Sequence, residues 1–195
     1  MSTAPQITLL PARHYRAMPW RNGLGTTTEI AVEPAADGRF HWRLSIADVA
    51  QSGPFSSFDG YDRTIAVVAG AGMRLAVAGR PTVLIDRESA PYDFPGDAAT
   101  DCGLIDGPIR DFNLIVDRAT ARGRVVGLRA AQSVALDGGT ALLHALMGGF
   151  TVDAGPLGAW VVPEGDTLRL DGVTGTIDID GPDDGRALLA TIRRR

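Results

Sequence analysis

Phe40-His41-Trp42-Arg43-Leu44-Ser45-Ile46-Ala47-Asp48-Val49, followed by Gly53-Pro54-Phe55-Ser56-Ser57-Phe58-Asp59-Gly60-Tyr61-Asp62-Arg63, is the stretch on which the reading of the chain turns. From Phe40 to Ile46 apolar and polar residues alternate. Side chains of a strand point to opposite faces with a period of two. Phe40, Trp42, Leu44 and Ile46 are therefore expected on one face, and His41, Arg43, Ser45 and Ala47 on the other. A slip of one residue would exchange the faces, so the register is well specified. The polar face reads either as a solvated exterior or as the lining of a polar pocket, with an arginine fork and a hydroxyl aimed inward. The segment from Gly53 to Arg63 is expected to be a loop, with Gly-Pro and Asp-Gly as its punctuation and Phe55, Phe58 and Tyr61 to anchor it.

Outward from that stretch, the chain keeps one character. Its 195 residues include 24 Gly and 12 Pro, which divide it into short segments rich in Val, Ile, Thr and Leu. That pattern predicts an all-β sandwich or barrel. No window carries a helical stripe with caps at both ends, and the segment 130–136 stays unassigned between helix and strand. Expected strands include Ile7–Pro11, a Thr-rich run ending at Val32, and Asp111–Val116 with Phe112, Leu114 and Val116 on one face. Thr64–Val68 and Met73–Val77 read as a hairpin about Gly70-Ala71-Gly72. Thr140–Met147 and Phe150–Val152 flank Gly148-Gly149 in the same manner. Together with Phe94-Pro95-Gly96-Asp97 and its echo Val162-Pro163-Glu164-Gly165-Asp166, this forms a weak internal repeat and points to a duplicated β-unit.

Composition excludes several classes of function. A net charge of -4 and a pI near 5.3 argue against nucleic acid, which would want a basic face. The acidic run around Asp178, Asp180, Asp183 and Asp184 and the Arg193-Arg194-Arg195 tail read as solvated, the tail as disordered. The single cysteine, Cys102, rules out an internal disulfide and fits a reducing compartment. No secretory leader and no membrane-length apolar run are visible, so a cytoplasmic protein without a membrane partner is expected. Edge strands of such barrels often pair, which admits a homodimer without choosing it over other states.

The candidate chemistry lies in polar side chains set among aromatics. His14, His41 and His144 are isolated, at spacings that build no metal centre; neither a metal nor a cofactor is expected. Cys102 reads as structural, Ser56 and Ser57 stand outside any nucleophile elbow, and Gly23-Leu24-Gly25 precedes a strand rather than a helix, so it is no dinucleotide fingerprint. What remains is Arg43, Arg63, Arg21 and Arg110 as carboxylate forks, Asn22, Ser45, Ser56 and Asn113 as neutral hydrogen-bonding groups, Glu29, Asp62 and Asp111 as counter-charges, and Trp20, Trp42 and Phe55 as the aromatic surroundings, with Trp20 and Phe55 as walls. Small-molecule pockets combine aromatic walls with a few polar anchors in this way. For single residues the blander reading is that Asp62-Arg63 and Arg110-Asp111 form ion pairs at strand ends.

Four segments resemble the HutD/Ves family: Pro19-Trp20-Arg21-Asn22-Gly23-Leu24-Gly25-Thr26-Thr27-Thr28-Glu29-Ile30, Trp42 to Val49, Gly53 to Arg63, and Gly107-Pro108-Ile109-Arg110-Asp111-Phe112-Asn113-Leu114. They cover the first 115 residues or so in the family's order and spacing. One departure is Leu24, where the family has glycine. The resemblance implies a bicupin, with two cupin-like (RmlC-like) barrels at 1–118 and 119–195, a division that allows strands to be exchanged between the halves, and the first barrel carrying the pocket. It further implies an association with bacterial histidine utilisation.

Two functional readings follow. In the first, the protein is a non-catalytic binder of a small carboxylate metabolite, N-formylglutamate or a relative, that modulates histidine utilisation. Its ligand-binding set is Trp20, Asn22, Glu29, Arg43, Ser45, Phe55, Ser56, Arg63, Asp111 and Asn113. In the second, it is a metal-independent cupin enzyme, an isomerase or hydrolase of a small organic acid. Glu29 or Asp111 would then be the general base and Arg43 would stabilise negative charge. With no nucleophile elbow, metal set or paired catalytic residues, the residues favour binding over catalysis.

Overall fold

A computed structural model describes residues 4–20, 25–129 and 131–195. Among these the regular elements are strands, apart from two three-residue 3₁₀ turns at Ala12–His14 and Gly155–Leu157. No helix among the described residues is long and apolar enough to cross a membrane. The stretch whose pattern does not choose between helix and strand supplies the strand Gln132–Asp137, paired with Thr174–Asp180.

The chain divides into two compact units. One holds Tyr15–Gly123 with Arg195; the other takes the chain up to His14 together with Arg124–Arg194. The first strand, Gln6–Leu10, falls by position in the N-terminal half, and the division at 118 allows strands to be exchanged between the halves. It pairs with Thr167–Asp171, where Ile7 and Leu9 pack on the core of the second unit. Apolar alternation says that a strand is half-buried but not which sheet buries it.

Each unit is built from two sheets. In the Tyr15–Gly123 unit the larger sheet runs in the order Arg16–Pro19, Gly25–Pro34, Phe40–Val49, Ile109–Asp117, Tyr61–Ala69, Tyr92–Pro95. The smaller runs Gly53–Pro54, Thr100–Leu104, Met73–Val77, Val83–Ile85. Ile65 and Val67 of the larger sheet join Met73, Leu75, Val77 and Cys102 of the smaller in one buried cluster. In the other unit the orders are Gln6–Leu10, Thr167–Asp171, Thr140–Met147, Arg186–Arg194, Ala121–Arg129 and Gln132–Asp137, Thr174–Asp180, Phe150–Asp153, Ala159–Val162.

The two orders are one pattern used twice. Tyr61–Ala69 corresponds to Thr140–Met147: each lies between two later strands of its own half. Met73–Val77 corresponds to Phe150–Asp153 in the facing sheet. The glycine turns at Gly70 and Gly148 are thus true equivalents. The turn at Gly70 does not close the hairpin that the sequence pattern predicts, and neither does its echo at Gly148; each carries the chain from one sheet to the other. Gly70 has φ +88°, and a Cβ there would lie 2.5 Å from the Pro108 carbonyl oxygen, so only glycine makes this crossing without strain. The proline-glycine-aspartate echo, by contrast, is not structural: Pro95 ends a strand of the larger sheet, whereas Pro163 follows one of the smaller.

The arginine tail is ordered at the end of the strand Arg186–Arg194. Arg193 pairs with Asp137, and the Arg195 amide donates to the Thr120 carbonyl at 2.9 Å.

Candidate functional site

The polar face of Phe40–Val49 points inward. Its neighbours in the larger sheet fix this by register: Ser45 stands opposite Asn113 and Ala47 opposite Asp111, while Arg43 stands opposite Ile115, which in turn faces Arg63. Residues opposite one another in an antiparallel pair share a face. Arg43, Ser45, Arg63, Asp111 and Asn113 therefore converge, and they line a cavity of about 440 Å³, a volume that suits a small ligand. The remaining wall comes from Trp20, Thr27, Phe55, Ser56 and Phe58, with Met18, Pro19, Ala47, Pro54 and Ile115. On the opposite face Trp42, Leu44 and Ile46 are buried. Phe40 departs from that set: at the strand end its ring tilts onto Tyr61 at 4.6 Å and lies under the Arg43 guanidinium at 5.1 Å.

Period two also separates the sequence neighbours that read as ion pairs. Asp62 turns outward and accepts from Arg118 at 3.0 Å, while Arg63 turns inward. Arg110 turns outward to Asp48 at 3.0 Å, while Asp111 turns inward. The ionic partners thus come from other segments of the chain, a turn for Asp62 and a neighbouring strand for Arg110.

Arg63 is 7% exposed. Its Nη2 donates to Asn113 Oδ1 at 2.8 Å and its Nη1 to the Ser56 carbonyl at 3.5 Å. The guanidinium lies over Phe94 at 4.9 Å, Phe55 at 5.3 Å and Phe58 at 5.4 Å. Arginine tolerates such surroundings because its weakly hydrated plane stacks on π-faces. Burial pulls its pKa down to about 10, Asp111 opposes that, and Arg43 adds to it; the group stays charged at neutral pH. Arg43 is lowered by burial, with Glu29 and then Tyr61 pulling the other way, and also lies over Phe58, at 5.3 Å. The Nε of each arginine is buried without a hydrogen-bond partner among the described residues.

Asp111 is 1% exposed. Its Oδ1 accepts from Asn113 Nδ2, and its Oδ2 has no partner among the described residues. Burial raises the carboxyl to about 7; Arg63 and the Asn113 hydrogen bond hold it from going higher, and Asp48 adds a little.

Of the residues selected from sequence, Trp20, Arg43, Ser45, Phe55, Ser56, Arg63, Asp111 and Asn113 line the cavity. The Trp20 indole is fixed by a 2.8 Å hydrogen bond from Nε1 to Thr27 Oγ1. Glu29 stands opposite Ser45 and acts on Arg43 through charge, but it is not part of the wall. Asn22, like Arg21 and Leu24, lies outside the described residues. Sequence reasoning misses Phe58 and Thr27. Thr27 shares a strand face with Glu29, and Phe58 lies three residues from Phe55 in the same loop; those spacings are the available signals.

The histidines stay apart. His144 is buried and shares a 2.9 Å hydrogen bond with Thr167, and His41 shares one of 3.0 Å with Thr120. No group of three or more His, Cys, Asp or Glu that could hold a metal occurs among the described residues.

Paired sheets repeated in two units, one of them holding a cavity between aromatic walls, make up a cupin-like fold. Solved structures agree on the fold: a cupin 2 conserved barrel domain protein from Leptotrichia buccalis matches with a TM-score of 0.57 at 10% identity, over 87% of this chain and 89% of that one. The chain belongs to the HutD family, whose model matches residues 12–189. HutD from Pseudomonas fluorescens SBW25 (formate condition) superposes with a TM-score of 0.86 at 37% identity, covering 97% of this chain and all of that one. A 21.2 kDa protein in the hutC 3′ region of Pseudomonas putida is 43% identical over 145 residues, 72% of this chain and 74% of that protein. Protein Ves of Citrobacter koseri is 39% identical over 116 residues, 56% of this chain and 60% of that protein.

Proposed function

We propose that the cavity of the Tyr15–Gly123 unit binds a small carboxylate metabolite, N-formylglutamate or a close relative, and that the protein adjusts histidine utilisation by binding it rather than by turning it over. The observation that carries this reading is the pair of charged guanidiniums in one 440 Å³ cavity, each with a buried N–H that has no partner among the described residues. A carboxylate supplies the acceptors these forks lack. The names of the relatives, HutD and a protein of the hutC 3′ region, support the link to histidine utilisation.

Calorimetric titration with N-formylglutamate tests the reading. Arg43→Ala and Arg63→Ala should each weaken binding by about 2–5 kcal/mol, the usual cost of removing one side of a buried charged hydrogen bond, in protein whose near-UV spectrum is native. Unchanged affinity in both variants would overturn it. The enzymatic reading has one observation in its favour, the buried Asp111 with its carboxyl raised to about 7, suited to a general base. Conversion of the acid by wild-type protein, abolished in Asp111→Asn, would establish it.

A further inference from the structure

The binding reading uses the two arginines and leaves the third unsatisfied group of the cavity without a role. Asp111 Oδ2 is an acceptor, buried and without a partner among the described residues. Its other oxygen is taken by Asn113, whose own carbonyl is taken by Arg63. The order Asp111, Asn113, Arg63 is therefore a fixed chain of hydrogen bonds that leaves Oδ2 at one end and Arg63 Nε at the other. A buried carboxylate oxygen without a donor is unfavourable. A ligand made of carboxylates alone would satisfy the arginines and set a negative group beside a second one.

From this we infer that Asp111 is a specificity residue, selecting carboxylate ligands that also bring an N–H or O–H donor, such as an N-acyl amino acid or a hydroxy acid, to its free oxygen. The inference rests on the carboxylate-binding reading above and refines it. The chemistry is that of sites that reject an analogue lacking a hydrogen-bonding group because a buried partner is then left unpaired. It also accounts for a carboxylate in a cavity otherwise built for anions. Charge alone would have favoured a neutral residue there, whereas an acceptor is what a donor-bearing ligand needs.

The test compares three ligands of similar size with wild-type protein at pH 8: N-formylglutamate with an N–H, 2-hydroxyglutarate with an O–H, and 2-methylglutarate with neither. The two donors should bind at least about tenfold tighter than the methyl compound. In Asp111→Leu that advantage should vanish, with 2-methylglutarate bound as well as before or better. Should this variant fail to fold, the wild-type comparison decides alone. Titrations in buffers of different ionisation enthalpy should show no proton taken up with N-formylglutamate, because the ionised carboxylate accepts from the ligand. Equal affinity for all three ligands, or uptake of a proton, would overturn the role of Asp111 while leaving carboxylate binding intact. Absence of binding by all three would overturn both.

Discussion

Replacing Asp111 by asparagine should change how stability depends on pH, and the size of the change follows from the burial of this one carboxyl. The native state holds the Asp111 proton up to about pH 7, whereas the ordinary value is 3.8. The folded-state value is raised, so the sign is opposite to that of a salt-bridged aspartate. Below about pH 4 both states are protonated and the group costs nothing. As the pH climbs to 7 the unfolded chain releases its proton first and gains on the native state; above 7 the cost is fully present. At 1.36 kcal/mol for each pH unit between the two values, the ceiling is roughly 4 kcal/mol. The groups that set it are burial first, then Arg63 and Asn113 acting against it, and Asp48 reinforcing it. In Asp111→Asn the side-chain amide keeps an acceptor for Asn113 and cannot ionise. Urea unfolding of ligand-free protein at pH 4.5, 6 and 8 should therefore show the stability of Asp111→Asn, relative to wild type, growing by a few kcal/mol across the series with an unchanged m-value. Asp86 and Asp97, both held below 3.8 by hydrogen bonds, bend the acid end of both curves alike and drop out of the difference. Parallel curves for the two proteins from pH 4.5 to 8 would refute the reasoning.

Phe58→Ala removes the ring shared by Arg43 and Arg63; at about 0.5–2 kcal/mol for each partly desolvated contact, carboxylate affinity should fall by roughly tenfold in calorimetry. Gly25→Ala places a Cβ 2.3 Å from the Asp48 carbonyl and 3.0 Å from the Trp20 ring, so the melting temperature should drop by an amount matching about 1–3 kcal/mol and tryptophan emission should shift. Cys102 is buried, its Sγ 3.5 Å from Met73 Sδ, with its thiol pushed up to about 12 by burial and then by Asp111; a thiol reagent at pH 8 should label it only after denaturant is added.

The fold is legible where one residue's environment repeats along a strand. The alternation from Trp42 to Ala47 and from Asp111 to Val116 assigns both faces of two central strands, since a misplaced register would have buried Arg43 and exposed Leu44 in the wrong places. Connectivity is not legible. Gly70 and Gly148 announce a change of direction, and a glycine that admits φ > 0 serves a hairpin and a crossing between sheets equally well. Which of the two occurs depends on the strands that flank Tyr61–Ala69, Ile109–Asp117 and Tyr92–Pro95, and these come later in the chain. Ile7 and Leu9 show the same limit: their pattern demands a partner, and the partner, Thr167–Asp171, lies at the far end of the chain.

The site illustrates a narrower point about charge. Asp62-Arg63 and Arg110-Asp111 look like two ion pairs because opposite charges adjoin in sequence, yet along a regular strand adjoining residues point to opposite faces, and Arg110 and Asp111 do so even beside the register shift in their pairing with Tyr61–Ala69. Applied consistently, the periodicity that places Arg43 inward also sends one member of each couple into the cavity and the other to solvent. The inward members, Arg63 and Asp111, then meet through Asn113 across two strands. The outward members are absorbed by Arg118 and Asp48, at exposures where an ion pair contributes little. Burial rather than pairing thus decides the chemistry: inside the cavity the charged residue types are driven toward neutrality, Arg63 downward and Asp111 upward. The three phenyl rings around Arg63 hold its charge in place but offer no acceptors. The hydrogen-bonding capacity left over, Nε on each arginine and Oδ2 on Asp111, is the observation on which the proposal of a carboxylate ligand rests, and it carries that proposal further than the cavity's volume does.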